Sequence, residues 1–213
     1  MPDDWSSQTE TLGTIAVPGH WQLQGFDRPI YTNVKYPFPC DPPKVPEQNP
    51  TGCYQRTITL SNDWLANEQV RVVFDGVDSA FYLWCNESWV GYSQDSRLPA
   101  EFDLTAYLRP GENSLKLVVF RYCDGSYLED QDMWNLSGIF RSVSLLRKPQ
   151  ARITDFRVTA SLDDRYVDGV LDVQVVTEYA QDCQIALSLY DANDFSRPVM
   201  TMPPQGLGTR QID

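Results

Sequence analysis

This sequence predicts an all-β protein, and three observations predict it. Short runs of β-branched, aromatic and alternating residues recur at intervals of roughly ten residues. Turn-forming clusters separate them. Helical periodicity is nearly absent over the 213 residues. Many short strands at that spacing suit a sandwich or barrel and not a βαβ fold.

In chain order, Gln55–Leu60 alternates and Val70–Phe74 is followed by the turn pair Asp75-Gly76. Ala80–Cys85 and Trp89–Tyr92 flank Asn86-Glu87-Ser88, a hairpin-like break. Ser114–Arg121 follows Pro110-Gly111-Glu112-Asn113, a strong turn signal, and Ile139–Leu146 reads as one more strand. Asp63–Asn67 and Leu104–Leu108 each suit a single helical turn, the second with Asp103 as N-cap. Beyond Lys148-Pro149-Gln150 come three clean runs, Ile153–Ala160, Val170–Thr177 and Ile185–Tyr190. The turn Asp163-Asp164-Arg165 separates the first two, and Met202–Asp213 has no strand pattern. Residues 151–213 are too few for an immunoglobulin-type sandwich of about 100 residues. The expected organisation is therefore one whole sandwich over residues 1–150 and part of a second over 151–213.

The segment Tyr36–Pro50 holds six of the 15 prolines. Proline fixes φ and removes a donor, so the stretch must be extended loop. Two readings stay open for it: a plain connector, or a rigid arm holding the preceding loop against a partner surface.

Composition excludes several functions. With 17 basic and 29 acidic residues the net charge is −12, which repels nucleic acid and anionic membrane surfaces. No apolar run approaches the roughly 20 residues of a membrane span. The polar start, Met1–Thr14, does not resemble a signal peptide. The five cysteines, Cys40, Cys53, Cys85, Cys123 and Cys183, are scattered and include no CxxC pair. A reduced, cytoplasmic protein is expected. In that compartment the sequons at Asn86 and Asn135 are chance matches. The single histidine, His20, cannot support a multi-histidine zinc site and has no GxSxG partner motif. It reads as a structural loop residue beside Trp21. No phosphate loop or dinucleotide fingerprint is present.

The informative stretch is Asp124–Trp134, with four carboxylates and two aromatics in eleven residues. It reads either as a solvated acidic loop anchored by Trp134, or as a site for a cation or a hydroxyl-rich ligand. Sugars suit such a loop, since their C–H faces stack on rings while their hydroxyls bond carboxylates.

At this loop, Asp124–Arg141 (DGSYLEDQDMWNLSGIFR) resembles the N-terminal domain of glycoside hydrolase family 2 β-galactosidases, the lacZ type. Val17–Val34, Asn49–Tyr54 and Phe74–Leu104 agree, so the resemblance covers nearly all of residues 15–160. It implies a jelly-roll, galactose-binding-like sandwich, then an immunoglobulin-like sandwich, then a catalytic TIM barrel carrying both catalytic glutamates. The chain is accordingly expected to be the sugar-binding and support part of a retaining β-galactosidase acting on terminal β-D-galactosides such as lactose. Alone it is expected to be inactive and to hold no catalytic residue.

The resemblance also assigns site residues. Asn33 contacts galactose or lines its pocket, and Tyr31 and Val34 shape the same wall. Asp132 contacts the sugar and supplies one ligand to a sodium ion. Gln94 and Asp124 match positions that hold a peripheral magnesium. Neither ion is expected to bind this chain tightly. Expected partners are the galactoside, the TIM barrel of the same protein and further copies in a homo-oligomer. Matching begins near residue 15, without the family's assembly extension, which argues against tetramers of this chain. Open strand edges after residue 150 suggest dimerisation, swapping or partial disorder. Two other readings remain: a stand-alone carbohydrate-binding module, or a non-catalytic assembly subunit.

Overall fold

The structure, a computed structural model, describes residues 13–66 and 68–206. The chain separates into two compact units, divided between Arg147 and Lys148. The first carries β1 (Ile30–Tyr31), β2 (Thr51–Leu60), β3 (Glu68–Phe74), β4 (Val77–Asp78), β5 (Ala80–Cys85) and β6 (Ser88–Ser93). Then come β7 (Ala100–Asp103), β8 (Gly111–Phe120), the single helical turn α1 (Ser126–Glu129), β9 (Trp134–Asn135), β10 (Gly138–Ile139) and β11 (Val143–Pro149).

Two larger sheets build the core of the first unit, beside the two-stranded pairs β1-β9 and β10-β4. One has the order β2-β8-β5-β6 and the other β11-β3-β7. Successive strand residues face opposite sides, so alternation decides what is buried. Val72 and Phe74 of β3 meet Phe81, Leu83 and Cys85 of β5 and Leu115, Leu117 and Val119 of β8 in one core. Trp21, Val77, Leu104 and Ile139 close it. Each large core side chain contributes about 1.5–3 kcal/mol by leaving water. On the outer face of the first sheet, Tyr82 packs edge-on against Trp84, Trp89 and Phe120, with ring centroids 5.0–5.9 Å apart.

The turns follow the residues. Asn86 and Glu87 both have positive φ, 49° and 67°, as a two-residue hairpin between Cys85 and Ser88 requires. The Asn86 amide donates to Tyr107 O and Asn113 Oδ1 and accepts from Ser114 N, which gives this sequon asparagine a structural task. Asp103 accepts from Thr105 N at 2.9 Å, capping a turn at Leu104–Tyr107. The turn predicted at 63–67 is a 3-10 turn at Asn62–Leu65.

The predicted strand Ile139–Leu146 is two strands. β10 pairs with β4, while β11 joins β3. The break at residues 140–142 has a steric cause. Phe140 lies over Gly76, where an added Cβ would come within 2.8 Å of its ring. The intervening backbone bonds across to Asp75 and Gly76.

The second unit holds two antiparallel hairpins, β12 (Arg152–Leu162) with β13 (Gly169–Glu178), and β14 (Gln184–Leu189) with β15 (Met200–Gly206). The first hairpin turns where predicted: Asp163 Oδ1 accepts from Val167 N at 2.8 Å and Asp168 N at 3.2 Å. β15 is a correction. Its sequence, MTMPPQG, lacks β-branched alternation, yet it pairs along β14. Ala180 is the only buried residue among those described in this unit. No helix among the described residues is long and apolar enough to cross a membrane.

Candidate functional site

Two very short strands build the site. β1 pairs antiparallel with β9, setting Ile30 opposite Asn135 and Tyr31 opposite Trp134. The pairing brings together segments 101 residues apart, and the Tyr31 hydroxyl donates to Asp132 Oδ1 across it. The Tyr31 and Trp134 rings lie 5.6 Å apart. The bond to Asp132 and its negative charge raise the Tyr31 pKa. Asp132 Oδ2 has no hydrogen-bond partner among the described residues.

Asn33 and Val34 form the tip just beyond β1. Val34 is 87% exposed, and Asn33 is exposed as well. The far stem of this loop is also held. Tyr36 Oη donates to Tyr127 O at 2.8 Å, and Phe38 packs against Tyr122 and Tyr127 at 4.7 and 5.3 Å. Tyr127 Oη in turn donates to Lys44 O and accepts from Asp41 N. The proline-rich segment is thus a strap lying on α1. Both readings left open are compatible with a segment tied down within its own unit.

Charges pin the acidic loop from below. Glu129 accepts from Ser96 N at 2.8 Å and Ser96 Oγ at 2.6 Å. Arg97 pairs with Asp78 at 3.1 Å, lies 5.0 Å over the Phe140 ring and approaches Met133 Sδ. Burial pushes the Asp78 carboxyl up to about 6; Arg97 opposes this shift, and Glu129 adds to it. A cavity of about 40 Å³ lies among Asp78, Arg97, Arg121, Glu129 and Asn135, too small for a sugar. Asp130 is raised by burial, whereas Asp132 and Trp134 are exposed.

The structure therefore gathers Tyr31, Asn33, Val34 and Asp132 on one rim. Gln94 and Asp124 both lie near Tyr92. Tyr92 Oη donates to Gln94 Oε1 at 2.7 Å. Burial raises the Tyr92 hydroxyl to about 12, with Cys123 and Asp124 adding to the shift. Asp124 Oδ1 accepts from Gly125 N at 2.9 Å. No group of three or more His, Cys, Asp or Glu among the described residues is arranged to hold a metal. The free oxygen of Asp132 fits a single ligand position for a hard cation, and Gln94 and Asp124 offer one oxygen type each. His20 stacks on Phe140 at 5.4 Å, and burial lowers its pKa. It is a loop residue, as the sequence suggested. Sequence reasoning missed Asp27, Asp78, Arg97 and Arg121. Arg121 had one signal: a charge ends the otherwise apolar run LVVF.

The rim offers an amide, a carboxylate, a hydroxyl and two rings to a ligand. That set suits a hydroxyl-rich molecule lying on an open surface and not in an enclosed pocket. Comparison with known proteins agrees with this class. The family model described as glycosyl hydrolases family 2, sugar binding domain, matches residues 1–149, and the chain belongs to that family. It is 56% identical, over its whole length, to 21% of a β-galactosidase of Aeromonas hydrophila. Over 82% of its length it is 60% identical to 17% of a β-galactosidase of Pectobacterium atrosepticum. The chain thus spans about a fifth of the length of these relatives. A solved Bifidobacterium dentium β-glucuronidase shares the fold, with a TM-score of 0.66, 17% identity, and coverage of 99% of this chain and 38% of that one.

Proposed function

We propose that this chain is the sugar-binding and support part of a retaining β-galactosidase acting on terminal β-D-galactosides such as lactose. The observation that carries the reading is the rim itself. Two remote segments converge, and Asn33, Val34 and Asp132 at their junction are exposed. Asn33 and Asp132 bond the sugar hydroxyls, and Tyr31 and Val34 line the same wall. Asp132 supplies one sodium ligand, and Gln94 and Asp124 contribute to a peripheral magnesium. The ions supply fixed positive charge when bound; the carboxylate and amide orient the sugar against a TIM barrel that carries the catalytic glutamates. The protein works in the cytoplasm, in keeping with its scattered, unpaired cysteines.

The test is a graft. This chain replaces the matching N-terminal fifth of the Aeromonas hydrophila β-galactosidase, and nitrophenyl-galactoside hydrolysis is assayed. The grafted enzyme should turn over substrate while the isolated chain does not. Turnover by the isolated chain, or an inert but folded graft, overturns the reading. A stand-alone carbohydrate-binding module is the second reading, favoured by the sugar-binding description of the matched family. Calorimetry with galactosides separates the two: millimolar or tighter binding by the isolated chain supports the module.

A further inference from the structure

The rim depends on β1 and β9, which are two residues each. Pairs that short do not hold themselves together in water. Something else must fix them, and one side chain reaches both β9 and the residues just ahead of β1. Arg121 follows directly on β8, the strand paired with both β2 and β5. Its backbone N–H donates to Pro50 O at 2.9 Å. The next residue is locked by Asn49, whose amide bonds both Tyr122 N and Tyr122 O. The base of the side chain is therefore as rigid as the sandwich.

From that base the guanidinium reaches into the site's support. It pairs with Asp27 and donates to Arg28 O at 3.2 Å, just ahead of β1. It also donates to Asn135 O at 3.4 Å, within β9. The Arg121 side chain is 3% exposed. A buried guanidinium left without its carboxylate is costly, so the pair acts as a unit. The planar fork of arginine can span two carbonyls and a carboxylate, whereas a lysine ammonium cannot hold the same three directions.

We propose that Arg121, with Asp27, is the positioning pair that sets the separation of β1 and β9 and so holds Tyr31, Asn33 and Asp132 in sugar-binding register. The pair acts through the strands and touches no substrate. The inference rests on the galactoside reading for its functional half only.

Two measurements test the two halves separately. The first uses the 213-residue chain with no sugar and reads hydrogen–deuterium exchange by peptide. Arg121→Lys should speed exchange over residues 28–36 and 130–137 by about tenfold, while β8 and β5 stay protected. Asp27→Asn should give a smaller rise in the same peptides, and it covers the case in which Arg121→Lys fails to fold. Unchanged exchange, or a rise spread evenly across the sandwich, overturns the clasp.

The second uses the grafted β-galactosidase. Arg121→Lys should lower kcat/KM about tenfold, and adding it to Asp132→Ala should cost little more. Full additivity would mean Arg121 does not act through Asp132, and the positioning role would fall. If exchange changes as expected but Asp132→Ala leaves turnover intact, the clasp stands and the galactoside reading fails.

Discussion

The two units carry strands of similar pattern but treat them differently. In the first, the alternating residues of β3, β5 and β8 meet across two sheets, and Phe74, Leu83 and Val119 are wholly or almost wholly buried. In the second, β12 and β13 pair over ten residues, yet Ile153, Phe156, Val158 and Val176 remain more than half exposed. Alternation and turn chemistry suffice to make a hairpin. They do not supply the layer that covers it, and a hairpin without that layer is marginal in water. Stability in this molecule should therefore track facing sheets and not strand content.

Core truncation should reveal that contrast most strongly. Phe74→Ala should destabilise the first unit by about 3–5 kcal/mol in urea unfolding. Phe156→Ala in the second unit should change stability by no more than about 0.5 kcal/mol. Equal effects would dissolve the distinction.

Acid should produce the next largest effect, through Asp78. Its carboxyl is raised by burial to about 6 in the folded protein, against an ordinary 3.8. The stabilising form is the protonated one. This contribution is complete below about pH 4 and is lost as pH rises through 6. Across that window it amounts to roughly 3 kcal/mol at most. Asp78→Asn should flatten the stability profile between pH 4 and 6 relative to the parent chain. Identical slopes would rule the effect out. In the second unit Asp163 has its pKa lowered chiefly by the backbone N–H of Val167, so acid acts there in the opposite sense.

The smallest effect should be association through the exposed hairpins. Concentration-dependent sedimentation is expected, and Phe156→Lys should weaken it by placing a charge on the apolar face. A parent chain that stays monomeric at all concentrations would contradict this.

Much of this molecule was legible in its residues. β2, β3, β5, β6, β8, β12, β13 and β14 overlap the runs of alternating, β-branched and aromatic residues, although β2 starts four residues earlier, at Thr51, and β12 leaves nearly all of its residues exposed. β1, β4, β9 and β10 were not legible, for a two-residue strand carries no period. β15 was hidden by its prolines, and the division of Ile139–Leu146 by a contact with the distant Gly76. The rim residues Tyr31, Asn33, Val34 and Asp132 came from family resemblance; no local pattern links segments 101 residues apart. Arg121 and Asp27 escaped notice for the same reason, since their tie is made only in three dimensions.

The proposal at stake is that Asp132 faces a galactoside and completes another domain's site. The direct measurement is kcat/KM for nitrophenyl-galactoside in the graft, with and without Asp132→Ala, at fixed sodium concentration. Loss of a charge-assisted contact to the reacting sugar should lower kcat/KM by about 100-fold or more while the melting temperature stays unchanged. A value within about threefold of the unsubstituted graft, in a folded enzyme, would contradict the account.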